Sequence, residues 1–149
     1  MCTDLRETGR GRLRSSARRT TSPAQLTTCG TVSRRPRLPA RGFIMVIQDV
    51  RGRYASDGAW EPLRNEGHDG ADTIAWAAEL GGSNGRVGML GGSYCGHTQW
   101  RAAIEQPPAL KAITPLMTWA EPSEALVARG GATQFSVIVG WAMAAAFDW

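Results

Sequence analysis

A chain of 149 residues suits one domain with a sizeable core, folded without covalent staples. Its three cysteines, Cys2, Cys29 and Cys95, follow no disulfide or metal-ligand spacing, which reads as a reducing, cytoplasmic compartment. No apolar run reaches the roughly 18 residues that cross a bilayer; the longest, Phe135 to Phe147, fits a buried helix, so no membrane association is expected. A secretory signal is not expected either, because no hydrophobic stretch follows the early basic residues.

The formal charge of +4 is unevenly placed. Residues 1–40 carry nine arginines against Asp4 and Glu7, a balance of +7, whereas residues 41–149 carry eight basic against eleven acidic residues, a balance of −3. In the first segment Leu5, Leu13, Leu26, Val32 and Leu38 are scattered among Arg, Ser, Thr and Pro without period. Such a segment buries too little to offset an ordering cost of roughly 1–2 kcal/mol per residue, so residues 1–40 read as a disordered basic segment. A nucleic-acid-binding arm would want aromatic residues for base stacking, and the segment has none, so no nucleic acid is expected. A targeting peptide would want an amphipathic helix, which is not evident.

From Arg41 the pattern changes. Phe43-Ile44-Met45-Val46-Ile47 is a continuous apolar run of strand length, closed by the polar loop Gln48-Asp49-Val50-Arg51-Gly52-Arg53. Asp69 reads as a helix cap, with Ile74, Ala77, Ala78 and Leu80 forming the apolar stripe. Gly81-Gly82 stops that helix and Ser83-Asn84-Gly85 makes a turn. Arg86 to Leu90 is the next strand, Cys95 to Glu105 the next helix, and Leu110 to Leu116 a third strand after Pro107-Pro108. Strand, helix, strand, helix, strand predicts a mostly parallel sheet with flanking helices. Beyond Glu121 the chain reads as helical, with a break at Gly130-Gly131.

Chemistry concentrates at Arg86-Val87-Gly88-Met89-Leu90-Gly91-Gly92-Ser93-Tyr94-Cys95-Gly96. A serine at a sharp bend between strand and helix is the geometry of a nucleophile elbow, at the strand's carboxyl end where open parallel sheets bind ligands. The bend demands small neighbours, met by Gly91 before the serine and by the small side chain of Cys95 after it. The helix behind Ser93 points its positive end at the serine, and the Tyr94 amide is the natural first oxyanion donor because it follows the nucleophile. A glycine-bracketed serine in an ordinary tight turn has the same local spelling, so G-x-S alone does not separate the two readings.

A longer string does. Gly42-Phe43 through Gln48-Asp49-Val50-Arg51-Gly52-Arg53, Asn65-Glu66-Gly67, Asp69-Gly70, Asp72-Thr73-Ile74, Trp76, Ser83 to Met89, Gly91-Gly92-Ser93-Tyr94, Gly96, Thr98-Gln99-Trp100 and Leu110-Lys111-Ala112-Ile113 resemble the cocaine-esterase-like hydrolases, relatives of Xaa-Pro dipeptidyl-peptidases and α-amino-acid ester hydrolases. The resemblance covers about Arg41 to Gly131. In that family the elbow is written G-x-S-Y-x-G, so Cys95 fills the variable slot and Gly96 the fixed one. The resemblance implies an α/β-hydrolase fold and a serine hydrolase of carboxylic esters or amides, including α-amino-acyl or X-Pro substrates. It also implies Ser93 as the nucleophile, the Tyr94 amide as an oxyanion donor, a small-molecule partner, and no cofactor and no metal.

The family order is Ser, then Asp, then His. Only two histidines are present. His68 precedes the serine, and His97 lies four residues after it on the same helix; neither matches the base, and Asp148 carries no family motif. The family also has a strand before the position of Arg41, then a loop whose tyrosine hydroxyl is the second oxyanion donor. Residues 1–40 hold no tyrosine and no apolar run, and Tyr54 sits in the wrong loop. Residues 41–149 therefore read as a partial α/β-hydrolase domain carrying the elbow and the start of a helical cap. It is expected to be incomplete at both ends, weak or inactive alone, and to have a gap between the strands ending at Gln48 and Leu90. Residues 1–40 are expected to be a misassigned start. The alternative is a non-catalytic remnant or binding module that keeps only the elbow fold.

Overall fold

The computed structural model describes residues 15–18, 24–29 and 42–147. The chain divides into two units, Met1–Thr118 and Trp119–Trp149.

In the first unit the apolar run becomes strand β3, Phe43–Gln48, with Ile44, Met45 and Val46 buried. The next strands are β4, Val87–Gly92, and β5, Leu110–Leu116, paired in parallel. The expected gap between β3 and β4 is filled. Strand β2, Ala24–Cys29, lies between them and pairs in parallel with both, Leu26 standing opposite Met45 on one side and Gly88 on the other. Strand β1, Ser15–Arg18, adds an antiparallel edge on β3, which gives the sheet order β1-β3-β2-β4-β5. The central strand escaped the sequence reading because Ala-Gln-Leu-Thr-Thr-Cys has one strongly apolar residue. Its β-branched threonines favour extended backbone, yet they carry no apolar period. The rest of residues 1–40, on which the expectation of disorder falls, lies outside the described residues.

Helix α1 runs Glu66–Ala78 and helix α2 runs Tyr94–Ile104. The reading of Asp69 as a helix cap is corrected: the helix starts one turn earlier, Asn65 holds the cap position, and the Asp69 carboxylate is taken by Arg51. Nothing in the spacing tells a cap from an ion-pair partner, because both want an acidic residue in the first turn. Of the expected stripe Ile74 and Ala77 are buried while Ala78 and Leu80 are half-buried, and Ile74, Ala77, Val87, Met89 and Ala102 form one core cluster. The helices approach closely where a Cβ on Gly70 would stand 2.6 Å from the Ala102 Cβ. The turn at Ser83–Gly85 closes as expected, with the Gly85 amide on the Ser83 hydroxyl (2.9 Å) and the Arg86 amide on Asn84 Oδ1 (3.0 Å).

In the second unit the helical expectation is met in part. A π-helical turn, Ser123–Val127, leads into a two-stranded hairpin of β6, Ala128–Arg129, and β7, Ala132–Thr133, around Gly130-Gly131. Both glycines have positive φ, which a hairpin bend of this kind needs. Helix α3, Phe135–Phe147, follows. It was expected to be buried, yet Phe135, Val137, Val139 and Met143 are exposed; a unit this small offers little surface to cover them. Among the described residues no helix is long and apolar enough to cross a membrane.

Candidate active site around Ser93

Strand β4 ends at Gly92 and α2 begins at Tyr94, so Ser93 alone makes the turn, at φ 56 and ψ −125. A non-glycine residue held there costs roughly 1–3 kcal/mol and persists only where neighbours over-determine it. They do so here. The Ser93 amide donates to the Leu116 carbonyl at 2.9 Å. Its carbonyl accepts from the Gly96 amide (2.9 Å), the His97 amide (3.1 Å) and the Thr118 hydroxyl (2.6 Å). The Ser93 side chain itself is exposed, at the carboxyl end of the central strands.

The glycines and the cysteine of the elbow are explained by what stands against them. A Cβ on Gly91 would lie 2.7 Å from the Cys95 Cβ, so position 91 must be bare for any side chain to occupy position 95. A Cβ on Gly96 would lie 2.5 Å from the Thr118 Cβ. Gly96 is thus the crowded position and Cys95 the tolerant one.

Beside Ser93, the Tyr94 hydroxyl donates to Glu66 Oε1 at the start of α1. The Leu63 amide stands 3.1 Å from that carboxylate oxygen and 3.2 Å from the Tyr94 hydroxyl oxygen. Burial, and then the bond to Glu66, push the Tyr94 phenol well above its ordinary value, so it stays a neutral donor. Glu66 is itself buried, and its Oε2 has no hydrogen-bond partner among the described residues. The adjoining loop is held by the Arg51–Asp69 ion pair, whose hydrogen bond raises the Arg51 guanidinium further. The Arg53 guanidinium stands over Trp60 at 4.5 Å and Tyr54 at 5.4 Å. A cavity of about 50 Å³ lies behind, lined by Gln48, Arg51, Trp60, Glu66 and Thr98 among others.

Ser93 and Tyr94 fall together as the sequence placed them, while the remaining candidates do not join them. His68 is exposed, its Nδ1 3.5 Å from Glu105 Oε2. His97 is buried, its ring edge-on to Tyr94 at 6.4 Å. Tyr54 is exposed beside Arg53, and Asp148 lies outside the described residues. Ser93 Oγ has no hydrogen-bond partner among the described residues.

The sequence reading gave no role to Glu66, Thr118 or Gln99. Gln99 had left a signal: with Gly96 and Ala102 it forms the buried face of α2, and an amide on a buried stripe needs partners there.

The family described as X-Pro dipeptidyl-peptidase (S15 family) matches residues 9–148, starting well before Arg41. The cocaine esterase of Rhodococcus sp. (strain MB1 Bresler) is 42% identical over 101 residues, 67% of this chain and 18% of that protein. An aminopeptidase from a marine sediment Thaumarchaeota archaeon superposes with a TM-score of 0.63 at 27% identity, over 73% of this chain and 23% of the other. A CocE/NonD family hydrolase from Staphylococcus aureus superposes over 95% of this chain and 32% of its own, with a TM-score of 0.75 at 21% identity, which shows a shared α/β-hydrolase fold. The chain thus spans about a fifth of the length of that cocaine esterase.

Proposed function

Because the chain belongs to the X-Pro dipeptidyl-peptidase (S15) family, we propose that it carries the nucleophile-bearing part of a serine hydrolase acting on small carboxylic esters or amides. The observation that carries this reading is the strained, exposed Ser93 at the strand–helix elbow, over-determined by four backbone and side-chain bonds. The substrate class follows from the relatives: one is a cocaine esterase, another an aminopeptidase, and the family takes its name from X-Pro dipeptides. α-Amino-acyl and X-Pro groups are the acyl parts proposed.

In the proposed reaction the Ser93 hydroxyl attacks the carbonyl carbon while its proton passes to a base. The carbonyl π electrons collect on oxygen, facing the Tyr94 amide at the positive end of α2. Collapse expels the alcohol or amine, which takes the proton back, and leaves an acyl-serine ester. Water then attacks that ester by the same steps, releasing the acid and restoring the hydroxyl. His68 faces Glu105 and His97 is buried within α2, so no base is assigned among these residues, and turnover by them alone is expected to be weak.

A fluorophosphonate test reads the nucleophile without needing turnover. With the 149-residue chain, slow phosphonylation should fall on Ser93 in preference to the other serines, vanish in Ser93→Ala, and accelerate when imidazole is added as an external base. Label spread over other serines with Ser93 unmodified would leave the elbow a structural remnant.

A further inference from the structure

Gln99 lies one turn and a half into α2, yet its side chain is wholly buried and points back at the elbow. Its Nε2 donates to two carbonyls, Gly91 O at 3.1 Å and Cys95 O at 2.8 Å. Those are the residues two before and two after Ser93. Its Oε1 accepts from the Thr114 amide of β5 at 2.9 Å. One planar amide therefore ties together the end of β4, the first turn of α2 and the neighbouring strand.

Two carbonyls flanking the bend and one amide of β5 thus share a single side-chain amide at the point where the chain must bend most sharply. A buried amide making all three bonds with good geometry is rigid, because any rotation of its plane breaks one of them.

We propose that Gln99 is a positioning residue: it holds the turn that sets the direction of Ser93 Oγ and of the Tyr94 amide. This rests on the reading of Ser93 as the nucleophile. A shift of about 1 Å at a reacting group costs on the order of 100-fold in rate, so loosening this clamp should be felt at Ser93 far more than in overall folding.

Two variants and two readouts test it on the full 149-residue chain. Gln99→Met keeps the volume and removes all three bonds. It should slow imidazole-assisted phosphonylation of Ser93 by about 100-fold. It should also speed hydrogen exchange at the Gly96 and His97 amides, which bond the Ser93 carbonyl, while the Ala77 amide in α1 keeps its protection. Gln99→Glu keeps the acceptor for Thr114 but presents a carboxylate to two carbonyls. Its labelling rate, taken as a ratio to wild type at each pH, should rise as the pH falls and the carboxyl gains a proton to donate. A role in packing alone would not give that pH-dependent recovery. Gln99→Glu labelling at the wild-type rate throughout, or a folded Gln99→Met labelling at that rate, overturns the proposal. If wild-type Ser93 is never labelled, the nucleophile reading fails instead, and unchanged exchange at Gly96 and His97 in a variant still overturns the clamp on its own terms.

Discussion

Gly96→Ala is expected to destabilise the first unit by about 2 kcal/mol, although alanine is the better helix former by roughly 0.5–1 kcal/mol. The added methyl would stand 2.5 Å from the Thr118 Cβ, 2.6 Å from its Cγ2 and 2.8 Å from its Oγ1. The Cβ cannot step aside as the tip of a flexible side chain would, so strand β5's exit or the first turn of α2 must move. The Thr118 hydroxyl is also the donor at 2.6 Å to the Ser93 carbonyl, so the displacement acts directly on the elbow. Labelling at Ser93 should fall with stability. Gly140→Ala is the control: the same change in α3, where an added Cβ meets nothing within 4 Å. It should tighten α3 by roughly 0.5–1 kcal/mol, seen as slower amide exchange in that helix. Adding Thr118→Gly to Gly96→Ala should recover part of the loss in a urea titration. A Gly96→Ala chain as stable as wild type would mean that the two residues do not meet as described.

Removing the Glu66 carboxylate should be the other large effect. It is buried, it accepts the hydrogen bond of the Tyr94 hydroxyl, and it stands within bonding distance of the Leu63 amide. Leu63 is held at φ 68, a strained conformation for leucine that its bonds help to fix. Glu66→Ala strips the acceptor from the Tyr94 hydroxyl, leaves the Leu63 amide only its 3.2 Å contact with the Tyr94 hydroxyl oxygen, and should cost about 2–3 kcal/mol. Tyr94→Phe removes only the hydroxyl and should cost about 1–2 kcal/mol at neutral pH. The pH dependence has a definite sign. Burial and Glu66 raise the phenol above its ordinary value of 10.0, so the neutral form is the one the fold favours. That contribution is complete below pH 10 and is lost as the pH climbs from there toward the raised folded value. The stability gap between wild type and Tyr94→Phe should therefore narrow above pH 10, and a gap that stays constant would remove Tyr94 as its cause.

Much of the fold was readable because it is written in local periodicity. Phe43 to Ile47 spells a strand, Ile74 and Ala77 of the expected stripe are buried on one helical face, and Ser83-Asn84-Gly85 spells a turn that its own side chains close. β2 was not readable by the same rule. A central strand need not be apolar when its partners on both sides supply the ladder, and its six residues carry one leucine. Asp69 was misread for a related reason: its partner, Arg51, is distant in sequence, and no local pattern records the ion pair.

By itself the sequence determined the elbow: a glycine-flanked serine between an apolar strand and a helix, with Cys95 in the free slot and Gly96 in the fixed one. Short-range sterics decide that motif, and short-range sterics are legible in a string of residues. Tertiary structure alone decided why the motif holds. Gly96 is bare because Thr118 crosses over it, Ser93 keeps its strained backbone because Leu116 and Thr118 bond it, and Gln99 ties Gly91 and Cys95 to Thr114. Each of those partners sits on β5 or just beyond it, or is fixed by it, and pairing across a sheet depends on where strands meet in space rather than on the order in which they are written.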